Sequence, residues 1–134
     1  MLSLTVLLVI CALATGQGEW TDESTEDERY LQGIAWDAAS SVVNADVTEG
    51  RFMVPKKLIT VRKMVIADVV VVDIKALFHE AWCGPWDGNS LEDICESMCP
   101  LYYGGAQATY EIYSRGGVLN ATKLEDVIAN PSLI

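Results

Sequence analysis

One histidine and three cysteines bring metal-binding and nucleophilic groups close together in the sequence: His79, Cys83, Cys95 and Cys99. Their spacing, His-x₃-Cys followed by Cys-x₃-Cys, is compatible with a zinc site of the Cys₃His type. The alternative is one disulfide with one cysteine left over, which an oxidising compartment favours. We favour the disulfide and predict no bound metal. The choice of partner for Cys83, either Cys95 or Cys99, stays open because sequence does not fix connectivity.

A histidine near a free cysteine also raises the question of a thiol enzyme. No residue at a recognisable spacing supplies a third group to orient His79, and no oxyanion site is evident. We therefore predict that the chain is not an enzyme and needs no cofactor.

The oxidising compartment is inferred from the first 14 residues. Leu2–Leu13 is apolar but too short to span a bilayer, and Ala12-Leu13-Ala14 supplies the small residues that precede a cleavage site. We predict a signal peptide at residues 1–14, a single domain at residues 15–134 and a secreted, extracellular protein. Cleavage removes Cys11 and leaves an odd number of cysteines.

The net charge restricts the class of partner. The chain carries 19 acidic and 9 basic residues, a formal charge of −10. Nucleic acids and anionic membrane surfaces are bound mainly through lysine and arginine side chains, so neither is an expected partner.

The densest β-forming segment is Lys57–Phe78, which is rich in valine and isoleucine and contains no glycine, proline or asparagine. As one strand it would extend roughly 70 Å, too long for a domain of this size. We therefore predict an antiparallel hairpin that folds back near Ile66–Asp68.

The other elements surround this hairpin. Apolar residues recur at helical spacing over Thr25–Val43, which opens with a capping box of Thr25 and Glu28. A Gly116-Gly117 turn joins two further strands, Gln107–Ser114 and Val118–Leu124. The fold class is α+β: one N-terminal helix packed on a four- or five-stranded antiparallel sheet.

The segment between the two hairpins, His79–Ala108, is a long loop that contains Cys83, Cys95 and Cys99. We predict a short helix at Leu91–Met98 within it. Trp36, Trp82 and Trp86 are interpreted as packing residues rather than a binding site. Asn120-Ala121-Thr122 is a glycosylation sequon, and we predict a glycan on Asn120.

This layout resembles the secreted cystatins, which inhibit papain-like cysteine proteases. The similar segments cover most of the mature chain: Gly18-Glu19-Trp20-Thr21 is similar to the N-terminal arm, Tyr30–Val43 to the helix, Leu58–Lys75 to the second and third strands, and Tyr110–Tyr113 to the fourth. The resemblance implies a cystatin-like fold and a first disulfide between Cys83 and Cys95. Some members carry a second site for an asparagine-specific protease near Asn44, but the match here is weak and we assign no such site.

In that family the arm, a Gln-x-Val-x-Gly loop and a Pro-Trp hairpin form a wedge that fills the protease cleft. The resemblance implies that papain-like proteases of the cathepsin type would contact the following residues: Gly18, Met64, Val65, Ile66, Ala67, Asp68, Ser114, Arg115, Gly116 and Gly117.

The wedge motifs depart from the family pattern in this chain. Met64 replaces the loop glutamine, Asp68 replaces its glycine, and Gly116-Gly117 replaces Pro-Trp. We therefore expect an inhibitor of weakened or altered specificity. Two alternatives remain: Met64–Asp68 is merely a hairpin tip, or the chain is a non-inhibitory, binding or toxin-like protein with the same fold. We expect a monomer that can form a domain-swapped dimer through this loop.

Overall fold

The computed structural model describes residues 20–23 and 29–127 of the chain. Three predictions fall outside the described residues: the signal peptide at residues 1–14, the arm residue Gly18, and the capping box of Thr25 and Glu28.

Five antiparallel strands form one sheet in chain order. They are β1 (Thr21–Glu23), β2 (Met53–Ile66), β3 (Val69–Glu80), β4 (Gln107–Arg115) and β5 (Val118–Val127). One α-helix, α1 (Arg29–Ala38), precedes β2 and continues as a π-helical turn, Ala39–Val43. The predicted α+β arrangement, a helix packed on an antiparallel sheet, is confirmed.

The predicted fold-back of the long β segment is confirmed. β2 and β3 pair along their whole lengths, from Met53 opposite Glu80 to Ile66 opposite Val69, and a two-residue turn joins them. The β2 register shifts between Pro55 and Lys57 and again between Leu58 and Thr60. Such bulges bend a strand and increase its twist, which lets this long hairpin curve.

The core lies between α1 and the sheet. Leu31, Ala35 and Ala38 are fully buried on α1, at the spacing of one helical face. They join alternate residues of the sheet in a single cluster, among them Val61, Val72, Ile74, Ala76 and Ile112. The apolar residues at helical spacing in α1 and those at alternate positions of the strands therefore pack against each other in one apolar layer.

The long loop between β3 and β4 has little regular structure. It contains two 3₁₀ turns, Pro85–Asp87 and Leu91–Asp93. The helix predicted over Leu91–Met98 is wrong beyond its first three residues, because the backbone of Ile94 is extended rather than helical. Trp36 packs against the core as predicted, whereas Trp82 and Trp86 are about half exposed.

Candidate functional site

The two hairpin turns of the sheet lie side by side at one end of the molecule. Because Val71 of β3 is opposite Arg115 of β4, the Ala67–Asp68 turn and the Gly116–Gly117 turn are adjacent. A Cβ atom placed on Gly116 would lie 3.7 Å from Cγ1 of Val69, ordinary van der Waals contact. We call this end, Met64–Val70 together with Ser114–Val118, the turn end.

All four turn residues adopt left-handed backbone conformations. The φ angles are 49° at Ala67, 65° at Asp68, 56° at Gly116 and 83° at Gly117. Positive φ at both central residues is the type I′ geometry that matches the twist of hairpin strands. Glycine adopts it freely, but Ala67 is strained there because its Cβ approaches backbone oxygen.

The structure thus brings together two of the three segments implied by the family resemblance. Met64–Asp68 and Ser114–Gly117 meet at the turn end, while Gly18 lies outside the described residues. The N-terminal end of β1 lies nearest this end of the sheet, because Thr21 is opposite Lys63 and Glu23 is opposite Val61. The Trp20 ring covers the Arg62 guanidinium, with 4.7 Å between the guanidinium carbon and the ring centroid.

The turn end exposes aliphatic side chains. Val65 is 53 % exposed, Val70 52 % and Val118 63 %, and both Ala67 and Asp68 are exposed. Sequence reasoning had identified Val65 but not Val70 or Val118. The available signal was their position: both are β-branched residues within two positions of a turn, Val118 directly after Gly117 and Val70 two residues after Asp68.

An open groove of about 700 Å³ separates the two turns from α1. Tyr30 and Ile34 line it from the helix, and Val70 and Ser114 line it from the sheet. The Lys63 ammonium lies 4.4 Å from the centroid of the Tyr30 ring. An apolar groove therefore lies beside the two turns of the turn end.

A second depression of about 390 Å³ lies beyond the Gly116–Gly117 turn. Its walls include Tyr113, Val118 and Asn120, the residue of the glycosylation sequon. Asn120 is exposed on β5. A glycan attached there would extend from the flank of the turn end rather than from its tip.

An ion pair links β2 to β3 next to the turn end. Nη2 of Arg62 donates to Oδ2 of Asp73 at 2.6 Å, across directly paired positions of β2 and β3. The hydrogen bond to Asp73 raises the pKa of Arg62. Asp68 at the tip is exposed, and among the described residues it forms no ion pair.

The disulfide joins Cys83 to Cys99, with 5.0 Å between their Cα atoms. The Cys83–Cys95 pairing implied by the resemblance is therefore wrong. The reason is register: Ala81 is bridged to Leu101, and Trp82 N–H donates to the Pro100 carbonyl, so the next residues to face each other are Cys83 and Cys99. Cys95 is a free thiol, partly exposed.

The pairing also decides the zinc alternative, because two of the four proposed donors are joined to each other. Within residues 20–23 and 29–127, no three side chains of His, Cys, Asp or Glu are grouped closely enough to hold a metal ion. The Cys95 thiol accepts or donates a hydrogen bond with Ser97 Oγ at 3.4 Å. That contact, with a further hydrogen bond from the Met98 backbone, lowers the pKa of Cys95.

Asn44 is fully buried and bonded to backbone groups on both sides. A protease that cleaves after asparagine needs access to that side chain. The Asn44 side chain therefore has a structural role in this fold.

No family model matches this chain, and no curated protein matches it. In the part of the chain that the structure describes, no helix has the length and apolar character needed to cross a bilayer.

Proposed function

We propose that this protein inhibits papain-like cysteine proteases by inserting the turn end into the protease cleft, with weakened or altered specificity. The observation that supports the proposal best is the adjacency of the Ala67–Asp68 and Gly116–Gly117 turns. Together the two turns form one edge that carries the exposed side chains of Val65, Val70 and Val118.

In the proposed mechanism, the turn end occupies the protease cleft without being cleaved. An apolar edge contributes binding free energy as its side chains leave water. The turn residues have positive φ, whereas the extended backbone of a cleavable peptide lies in the β region at negative φ. The edge would thus hold the cleft without offering an extended peptide bond to the catalytic thiolate.

Asp68 is the reason for expecting weak or altered inhibition. It is exposed at the tip of the longer hairpin, where the core of an interface would form. A carboxylate desolvated without a partner costs several kcal/mol. The proposed targets are therefore proteases that leave Asp68 in water or that offer it a cation.

The test is titration of the mature protein against papain and cathepsin L with a fluorogenic substrate. We expect inhibition that Val65→Asp weakens by at least about tenfold, equivalent to about 1.4 kcal/mol. Leu124→Asp is the matched control: Leu124 is also an exposed aliphatic residue, at 45 %, but lies away from the turns on β5. It should leave the inhibition constant unchanged. Asp68→Gly should strengthen inhibition.

A second candidate function is a non-inhibitory binding protein with the same fold. The observation that favours it is the Gly116–Gly117 turn, which places no aromatic anchor at the tip, although aromatic residues dominate many interface energies. Absence of inhibition at micromolar concentration by both the wild type and Asp68→Gly would support this second candidate and reject the first.

We also propose that the protein is secreted and glycosylated. The disulfide and the exposure of Asn120 are compatible with this proposal. Expression in a eukaryotic secretory host should yield a mature chain without residues 1–14 and with a mass that falls after N-glycan removal. Asn120→Gln should abolish that mass change. Retention of the whole chain inside the cell would reject the proposal.

A further inference from the structure

A cluster of aromatic residues encloses one arginine at the end of the sheet opposite the turn end. The guanidinium carbon of Arg51 lies 3.8 Å from the ring centroid of Tyr102, 5.1 Å from that of Trp86 and 5.4 Å from that of Trp82. We call these four residues the Arg51 box. β2 separates the box from the turn end by roughly 40 Å at about 3.3 Å per residue, so the two regions are independent surfaces.

The walls of the box are fixed by hydrogen bonds. Trp86 Nε1 donates to the Trp82 carbonyl at 2.8 Å, Trp82 N–H donates to the Pro100 carbonyl at 2.8 Å, and Tyr102 N–H donates to the Glu80 carbonyl at 2.9 Å. The Cys83–Cys99 disulfide joins the residues next to Trp82 and Pro100. The aromatic rings therefore lie on a segment that is constrained by the disulfide and by backbone hydrogen bonds.

Two glycines allow the parts of the box to approach each other. A Cβ atom on Gly84 would lie 2.2 Å from the Gly50 carbonyl oxygen and 2.6 Å from Cα of Arg51. A Cβ atom on Gly105 would lie 3.0 Å from Cδ1 of Tyr102. The first contact involves only backbone atoms, so any side chain at Gly84 would displace Arg51 from the rings.

Arg51 has no anionic partner in this box. Among the described residues its guanidinium forms no ion pair, and its Nε is buried without a hydrogen-bond partner. Stacking on rings satisfies the faces of a guanidinium, while its N–H donors lie in the plane and need acceptors. The contrast is Arg62, which also lies against an aromatic ring but donates to Asp73.

We propose that the Arg51 box is a binding site for a carboxylate carried on a ring, such as a sugar acid or an aromatic acid. The guanidinium presents a charged fork that matches a carboxylate. Trp82 and Trp86 are 46 % and 50 % exposed, so both indoles still offer apolar surface to the ring of the ligand. A carboxylate also supplies the anionic partner that Arg51 lacks among the described residues.

The net charge of the protein disfavours large anionic ligands. At −10 it repels polyanions, which bind through long-range attraction. A small ligand with one carboxylate meets little of that repulsion at physiological ionic strength, because charges beyond about 8 Å are screened. The aromatic faces then provide the larger share of the contact.

The test uses two pairs of probes in which a neutral group replaces the carboxylate: glucuronate with glucose, and the nearly isosteric pair of indole-3-acetate with indole-3-acetamide. Binding is followed by the indole N–H resonances in ¹H–¹⁵N correlation spectra of the labelled protein. We expect saturable shifts at Trp82 and Trp86 for one or both carboxylates, with no shift at Trp20 near the turn end. The neutral partner should bind at least about tenfold more weakly.

Two arginine variants provide the matched comparison. Arg51→Lys keeps the charge but loses the planar fork, and it should weaken carboxylate binding by at least about tenfold. Arg29→Lys, the same change at an exposed arginine of α1 that belongs to neither site, should bind like the wild type.

The outcomes separate the two ligand sources. Saturable binding of glucuronate alone identifies a sugar acid, and binding of indole-3-acetate alone identifies an aromatic acid. Equal binding of the charged and neutral members of a pair, or no saturable shift with either carboxylate, would overturn the proposal. These comparisons use the wild-type protein, so they hold even if Arg51→Lys fails to fold.

Discussion

Asn44 forms a two-point pair with the backbone of Met53. Its Nδ2 donates to the Met53 carbonyl and its Oδ1 accepts from the Met53 N–H, both at 2.7 Å. Nδ2 also donates to the Ala39 carbonyl at 2.9 Å. One buried side chain thus ties the π-helical turn after α1 to the first residue of β2, and it sets the position from which the long hairpin starts.

We predict that Asn44→Ala destabilises the protein by about 3 kcal/mol. The variant leaves backbone groups of Ala39 and Met53 buried without partners, and each such group costs about 1–3 kcal/mol. Urea unfolding followed by circular dichroism measures the change. Asn120→Ala, at an exposed asparagine, is the control and should change stability by less than about 0.5 kcal/mol. Equal effects of the two variants would contradict the role given to Asn44.

A second prediction concerns strain in the Ala67–Asp68 turn. Replacing Ala67 by Asn and Asp68 by Gly supplies the residues that type I′ turns prefer, without changing the loop length. We expect the double variant to be more stable by about 1 kcal/mol, because alanine is unfavourable in the left-handed region. The midpoint of urea unfolding measures it. An unchanged or lower midpoint would show that Ala67 carries no strain.

The same turn leads to a third prediction, on domain swapping. Opening the hairpin into one continuous strand would move Ala67 and Asp68 out of the left-handed region, so exchange between two copies would relieve their strain. We expect wild-type protein to accumulate a dimer during concentrated storage, and the Asn-Gly variant to accumulate less. Size-exclusion chromatography after matched incubation measures both. A wild type that stays entirely monomeric would reject this prediction.

A fourth prediction follows from the lowered pKa of Cys95. The hydrogen bonds from Ser97 and the Met98 backbone stabilise the thiolate, so the nucleophilic form persists to lower pH than in an ordinary thiol. The rate of iodoacetamide labelling should reach half its maximum at a lower pH than for a cysteine in an unstructured peptide. Ser97→Ala should move the midpoint upward. Labelling that stoichiometrically modifies Cys83 or Cys99 instead would contradict the disulfide assignment.

The long hairpin was predictable because its signals are local. Lys57–Phe78 is too long to be one strand and contains no strong turn residue, so length alone required a fold-back, and the polar Asp68 marked its position. The Gly116–Gly117 turn was evident for the opposite reason, since paired glycines favour positive φ at both positions. The short helix at Leu91–Met98 failed because a few apolar residues in a constrained loop follow its tertiary contacts rather than their periodicity.

The candidate site was predicted in part. Met64–Asp68 and Ser114–Gly117 came from the family resemblance, and the structure places them side by side. Val70 and Val118 were missed because an alternating strand pattern does not reveal which end of a strand is uncovered. The Arg51 box was missed because Arg51 is separated from Trp82 and Tyr102 in sequence by most of the long hairpin.

The sequence by itself determined the fold class, since helical and strand periodicities are properties of neighbouring residues and each commits a segment to one apolar face. It also determined where the two hairpins turn. Only the tertiary structure decided which cysteines pair, because the bridge between Ala81 and Leu101 sets the register that places Cys83 opposite Cys99. The same applies to the surroundings of Arg51: contacts between distant segments depend on register and curvature, which no local pattern encodes.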